Sequence, residues 1–474
     1  MSDCCMPHSS GAYDLAVVGA GSAGFSAAIT AAEQGANVAL IGHGLIGGTC
    51  VNVGCVPSKT MIRAAEALHG ARAASRFPGL VGEAHVTDWS RLIAAKDDLV
   101  TTLRQKKYID LLPEYNGVAY LERRARMTVE GLEVDGEPLR AGKIIIATGA
   151  SPAVPDIPGI EDIAYHTSTT ALELNELPRS LLIIGGGYIG CELAQMFARA
   201  GARVSLVTRS RLLPEAEPEI SEALTRYLRD EGITVRSGLS YRRIAPSDGG
   251  VRLTFEADGQ AESIDAEQAV VTTGRIPNTA GMGLRRAGVE LTHTGAVMVD
   301  DRMRTTRAGV YAAGDVTGRD QFVYMAAYGA KLAALNALNG DSLAYDNETM
   351  PWVVFTDPQV AGVGLSEAAA ILRGFAVKTS IAPLDQVPRA LAARDTRGLI
   401  KLVADRETDL LLGGQILAPE GADSIQTLAL ALKHGMTATE LGETIFPYLT
   451  TVEGLKLAAQ GFGKDVAKLS CCAG

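Results

Sequence analysis

The chain lacks any uniformly apolar stretch long enough to cross a bilayer. One uncharged run, Leu15 to Ala32, is interrupted repeatedly by glycine and serine, whereas a helical span needs about 20 consecutive apolar residues. No Lys or Arg precedes that run, while Asp3 does. The basic segment of a secretory signal is therefore missing, and a cytoplasmic location without stable membrane insertion is expected. Net positive charge is lacking too, the formal balance being -10. That excludes nucleic acid or an anionic membrane as the main partner, since both ask for a basic face. Small-molecule chemistry is what remains.

What is present in abundance is glycine, 52 residues of 474, in a chain 47% hydrophobic and 21% charged. Such a composition belongs to globular α/β proteins, and the length exceeds one ordinary core. An apolar strand, Leu15 to Val18, runs into Gly19-Ala20-Gly21-Ser22-Ala23-Gly24 and an alanine-rich helix reaching about Gly35. The same grammar returns at Leu181 to Ile184, Gly185-Gly186-Gly187-Tyr188-Ile189-Gly190 and a helix through about Ala200. Such a turn lets the backbone approach a pyrophosphate, and the following helix N-terminus offers N–H groups and a positive dipole end. One glycine turn alone also serves plain packing. Two in matched context predict two dinucleotide sites, one on Gly19, Gly21 and Gly24, the other on Gly185, Gly187 and Gly190. Lys143 to Gly149 and Ala269 to Gly274 repeat a strand that ends on Thr-Gly, which adds Thr148 and Gly149 to the cofactor candidates.

The second strand of each unit discriminates between dinucleotides: a terminal acid suits the ribose of FAD or NAD, an arginine the 2′-phosphate of NADP. In the later unit Arg203 to Val207 leads into Thr208-Arg209-Ser210-Arg211 with no acid. NADPH is expected there on Arg209 and Arg211, the alternative being a solvated turn. In the earlier unit Asn37 to Ile41 ends at Gly42-His43, where an acid was expected. If FAD binds there, other groups must hold its ribose. Support for flavin comes from Val310-Tyr311-Ala312-Ala313-Gly314-Asp315, a strand ending in an acidic turn. Asp315 either holds flavin hydroxyls or caps the next helix.

Seven cysteines occur, at 4, 5, 50, 55, 191, 471 and 472. In a reducing compartment a chain this large needs no disulfide staples, so clustered cysteines point to redox or metal chemistry. Cys50 and Cys55 lie in GGTCVNVGCVPSK, Gly47 to Lys59, with a helix expected from about Pro57. A thiol near a helix start, with Lys59 one turn on, should have a pKa below its ordinary ~8.5, and the resulting thiolate is both a nucleophile and a soft-metal ligand. Structural zinc is the alternative, but no second CxxC or histidine pair stands nearby to complete four ligands. Cys191 reads as a small buried hydrophobe. Cys471 and Cys472 are adjacent, with Cα atoms about 3.8 Å apart against the usual ~4.4 to 6.8 Å for a disulfide, so they are poised as a dithiol. At a chain end such a dithiol suits collecting a soft ion and passing it to another pair.

Two glycine turns, GGTCVNVGCVPSK and YAAGDV, in this order from Tyr13 onward, resemble the pyridine nucleotide-disulfide oxidoreductase family over nearly the whole chain. The resemblance implies a glutathione reductase-like α/β fold, with two Rossmann-like dinucleotide-binding domains and a C-terminal α+β dimerisation domain. It implies a tail at residues 1–11, an FAD domain at 12–150 and 281–345, an NADPH domain at 151–280, and dimerisation at 346–474. By the same resemblance Cys55 lies against the flavin and Cys50 faces substrate. Gly48 and Thr49 adjoin the cofactor, Lys59 and Glu192 form an ion pair near the reactive end of the flavin, and electrons pass from NADPH through FAD to Cys50 and Cys55.

Disulfide-reducing members carry a His-Pro and a glutamate near the C-terminus, which supply a proton to the departing thiol. Here Phe446-Pro447 stands in that place, followed by Tyr448 to Glu453, and His434, on an apparent exposed helix, is the only histidine after His293. The run Phe446 to Gly474 and the segment Met350 to Gln359 resemble the branch of the family that reduces ionic mercury. That implies Hg(II) as substrate, arriving as a thiol complex. Cys471 and Cys472 of one subunit of a homodimer would capture it for Cys50 and Cys55 of the other. Tyr108 and Tyr448 would line the metal site, or else serve as ordinary packing residues. The extra N-terminal metal-binding domain of many such proteins, with its own CxxC, is not seen; Cys4-Cys5 is either an accessory thiol pair or plain leader. Two other readings stay open: a dihydrolipoamide-type dithiol oxidoreductase, and a non-enzymatic thiol protein that sequesters metal.

Overall fold

A strand buried on both faces of a parallel sheet reads as an unbroken apolar run, and in the computed structural model, which describes residues 12–465 and Lys468, the Val, Ile and Leu runs form such strands. Cys4, Cys5, Cys471 and Cys472 lie outside the described residues. The chain divides into two units, one of residues through Ser58, 94–153 and 275–346, the other of 59–93, 154–274 and from Asn347 on.

In the first unit five parallel strands follow the order Val310–Ala312, Ala141–Ile146, Tyr13–Val18, Val38–Gly42, Val118–Glu122. Leu15, Ala16 and Val17 at its centre are fully buried. Helix Ser22–Glu33 packs on helix Val323–Asn339. Alanine on both allows a close approach, and the Ser26 hydroxyl donates to Ala327 O at 2.7 Å.

The second unit repeats the arrangement with Thr234–Arg236, Arg203–Val207, Ser180–Ile184, Gln268–Val271 and His166–Thr167, again parallel. It also holds an antiparallel sheet ordered Trp352–Val354, Gln359–Gly364, Leu411–Ala418, Leu399–Asp405, Val377–Pro383. Helices Gly421–Lys433 and Glu453–Gln460 share that sheet's core, and Phe446 packs against it. The fold is thus the expected α/β class with two Rossmann-like sheets and an α+β C-terminal part. Among the described residues no helix is long and apolar enough to cross a membrane.

Among the buried charges of the second unit are two clusters drawn from distant segments. Lys401, with 2% of its side chain exposed, meets Glu217, Glu219 and Glu367 at 2.8 to 3.0 Å. Arg199 bonds Glu231 at 2.7 Å and Asp357 at 2.9 Å. Neither cluster follows from a local motif.

Element bounds differ from expectation at two points beside the candidate site. The strand after the first glycine turn is Val38–Gly42, so Gly42 is its last residue. The helix expected from Pro57 begins at Cys55 and runs to Arg72, with the division between units falling after Ser58. The Ser58 amide already bonds Gly54 O at 3.0 Å. Pro57 is tolerated in the first turn because N–H groups there have no intrahelical acceptor.

Candidate active site

The first glycine turn is shaped by contacts that only hydrogen can satisfy. Gly19 has φ +121°, and a Cβ on it would meet Ala147 O at 2.2 Å; a Cβ on Gly24 would lie 1.7 Å from Gly19 O. Gly21 caps helix Ser22–Glu33 with extended backbone and no side-chain acceptor. The amides of that first turn are left for an outside anion. Gly48 closes against this turn, since its Cβ would fall 2.7 Å from Gly21 Cα. The second turn reproduces the pattern in its own unit: Gly185 has φ +121°, Gly190 would place a Cβ 1.8 Å from Gly185 O, and nothing lies within 4 Å of a Cβ on Gly187. Gly187 caps helix Tyr188–Ala200, again without a side-chain acceptor. Both cradles fit a dinucleotide pyrophosphate.

Around the first turn, Thr148 is tied to Asn278: its hydroxyl donates to Asn278 O at 2.8 Å, and Asn278 Nδ2 donates to Thr148 O at 2.9 Å. Gly149 has φ +70° with open space about it. Asp315 opens the short helix Asp315–Thr317 behind Gly314. Its carboxylate is 3.6 Å from Arg275 Nε. Burial raises the Asp315 pKa and Arg275 opposes the rise. The Arg275 Nε is buried without a hydrogen-bond acceptor among the described residues, which marks an N–H positioned to donate to a polar atom of a bound flavin. Sequence reading missed Arg275; its position after the Thr272-Thr273-Gly274 turn was the available signal.

The short helix Gly48–Asn52 carries Cys50, and Cys55 opens the next helix. Asn52 braces the loop between them, Nδ2 donating to Ile46 O and Gly48 O at 2.9 Å each, while its Oδ1 accepts from Arg104 at 3.0 Å. Cys50 is half-buried and Cys55 exposed. Tyr108 joins them, resting against Gly47, where a Cβ would lie 3.2 Å from its ring. The ring stands edge-on to Phe25 at 4.8 Å, and its hydroxyl is 3.4 Å from Ser22 Oγ. Burial raises the Tyr108 pKa, and the charges of Cys50 and Cys55 raise it further. Tyr108 sits in the π-helical turn Gln105–Ile109, a local irregularity often found at functional sites.

In the second unit Lys59 Nζ lies 2.6 Å from Glu192 Oε2 and 4.9 Å from the Phe355 ring centroid. Glu192 Oε1 accepts from the Phe355 amide at 2.9 Å. Arg209 and Arg211 separate in role. The Arg211 guanidinium donates to Pro214 O at 2.7 Å and Ala216 O at 2.5 Å, so it braces its own loop. Arg209 is exposed, 5.2 Å over the Tyr241 ring. Tyr448 is 52% exposed, beside Leu449, whose amide donates to Glu453 at 3.2 Å. Cys191 is fully buried and its thiol is pushed well above the ordinary range, mainly by desolvation, so it is inert as expected. His434 ends helix Gly421–Lys433 on the surface. Among the described residues no group of three or more His, Cys, Asp or Glu is placed to hold a metal.

Comparison with known proteins gives a consistent picture. The pattern described as "Pyridine nucleotide-disulphide oxidoreductase" matches residues 13–333, and that of the same family's dimerisation domain matches 350–459. A protein named mercuric reductase from Streptomyces lividans is 46% identical over 98% of both chains. Another of that name from Bacillus cereus is 46% identical, covering 98% of this chain and 73% of its own length. Among solved structures, the HOCl-induced flavoprotein disulfide reductase RclA from Escherichia coli is 30% identical with a TM-score of 0.83, covering 94% of this chain and 99% of its own.

Proposed function

Since the chain belongs to the pyridine nucleotide-disulphide oxidoreductase family, we propose that it reduces Hg(II) to elemental mercury with NADPH in the cytoplasm, as a homodimer, and so detoxifies mercury. The overall change is Hg²⁺ and NADPH giving Hg⁰, NADP⁺ and one proton. The observation that carries this reading is near-full-length similarity, 41 to 46% identity, to relatives named mercuric reductase.

FAD, when bound, relays two electrons from NADPH toward the cysteine pair. The open amides behind Gly21, the Asp315–Arg275 pair and Gly48 would hold FAD; those behind Gly187, with Arg209, would hold NADPH. Cys50 and Cys55 would bind the metal as thiolates, because a soft ion exchanges oxygen ligands for sulfur. Tyr108, its proton held by burial and by the two cysteines, would border that site without adding charge, and by the family resemblance Tyr448 would line it as well. Phe446 supports the choice of substrate: it is a packing side chain in the place where a disulfide reductase needs an acid for its leaving thiol. Elemental mercury binds thiolate weakly and leaves without a proton. Cys471 and Cys472 would collect Hg(II) from thiol complexes and deliver it to the partner's Cys50 and Cys55, a role supported by their place in the sequence.

The test is NADPH oxidation that depends on HgCl₂ in the presence of excess thiol. Lipoamide turnover without mercury activity would return the protein to the dithiol class, and a purified protein without a flavin spectrum would make it a sequestering protein. For the shared site, chains carrying Cys55→Ala and chains carrying Cys471→Ala with Cys472→Ala should, when co-expressed, recover activity at limiting mercury. Equal inactivity of the mixed and single preparations refutes delivery across the dimer.

A further inference from the structure

Strand Val38–Gly42 ends without the acid that ordinarily holds the adenosine ribose beside a glycine turn of this kind. The acid is excluded as well as absent, because a Cβ on Gly42 would lie 2.5 Å from the Ala20 Cβ. The neighbouring strand Val118–Glu122 runs parallel, with Glu122 as the register partner of Gly42. Residues two apart in a strand leave the sheet on one face, and register partners share that face. Tyr120 and Glu122 therefore point to the side where an acid on Gly42 would have pointed. A Cβ on Gly42 would lie 3.5 Å from the Tyr120 hydroxyl, which agrees with that geometry. Burial raises the Tyr120 pKa and the Glu122 charge adds to the rise, so carboxylate and hydroxyl share one neighbourhood. Glu122 is exposed, and among the described residues its carboxylate has no ion pair or hydrogen bond.

We propose that Glu122, with the Tyr120 hydroxyl beside it, holds the adenosine ribose of FAD in place of the acid missing at Gly42. The recognition has moved one strand across the sheet, about 4.8 Å, a distance within the reach of a glutamate side chain. This rests on FAD occupying the first glycine turn.

The experiment strips flavin from the purified protein and titrates it back, following flavin fluorescence. Two ligands are used, FAD and an analogue lacking the adenosine 2′-hydroxyl, with wild type, Glu122→Gln and Tyr120→Phe. Glu122→Gln should weaken FAD binding roughly ten- to hundredfold, the loss of a charge-assisted hydrogen bond. That difference should largely vanish with the analogue. Tyr120→Phe should show a smaller loss with the same dependence on the hydroxyl. Circular dichroism and the melting temperature of the stripped proteins should match, since position 122 is exposed. Unchanged FAD affinity in Glu122→Gln, or an equal loss with both ligands, overturns the inference while leaving the flavin reading intact. A wild type that takes up no flavin overturns both.

Discussion

Glu192→Ala should destabilise the second unit by about 2 to 3 kcal/mol, and Glu192→Gln by only about 1 kcal/mol. Glu192 has 6% of its side chain exposed and Lys59 has 32%. One carboxylate oxygen meets Lys59 at 2.6 Å, and the other accepts from the Phe355 amide at 2.9 Å. Removing one member of a fully buried pair costs about 3 to 5 kcal/mol because the other charge is stranded. A third of the Lys59 side chain reaches water, so part of that cost is recovered by solvation. Alanine also strands the Phe355 amide. Glutamine keeps one oxygen, which still accepts from the Phe355 amide; its NH2 faces Lys59, whose partly exposed ammonium turns to water instead. The assay is urea unfolding at pH 7 followed by tryptophan fluorescence, which reports this unit because the protein's 2 tryptophans, Trp89 and Trp352, both lie in it. Equal losses for the two variants, or losses below about 0.5 kcal/mol for both, would refute the reasoning.

Lys401→Met should cost about 3 kcal/mol in the same assay, because it strands Glu217, only 4% of whose side chain is exposed. Adding Glu217→Gln should restore part of the loss. His69 has a pKa below its ordinary 6.5, chiefly from burial, then from Arg199 and Arg397, against Glu231 and Asp357. The unfolded chain then takes up this proton before the folded one does, so stability held above pH 6.5 is lost as pH falls through the depressed folded value. His69→Gln should flatten that decline, read as the melting temperature across the range from about pH 7 to 5. Gly190→Ala places a Cβ 1.8 Å from Gly185 O, and at least a tenfold loss of NADPH affinity, about 1.4 kcal/mol, is expected by titration; an unchanged affinity would show that the turn yields without opening. Cys191→Ser should leave mercury-dependent NADPH oxidation within about twofold of wild type, since that thiol is sealed from solvent.

Much of this protein was legible in its sequence because the relevant physics is local. A glycine turn between an apolar strand and a helix is specified by a handful of consecutive residues, so both cradles could be read before any fold was known. The spacing of Cys50 and Cys55 and the loss of a histidine at Phe446 are equally local. Even the gap at Gly42 was visible as an absence.

Tertiary structure alone decided which residues from distant segments come together. Arg275 meets Asp315 across forty positions, and strand pairing sets Tyr120 and Glu122 in register beside Leu40 and Gly42. Lys401 gathers glutamates from two other segments. It also decided what like residues do: of two arginines expected on one phosphate, Arg211 is turned onto its own loop and Arg209 faces solvent. The physical reason is the range of the interactions. Backbone conformation and helix capping act over neighbouring residues, whereas burial and charge pairing depend on distances that exist only once the sheets have formed.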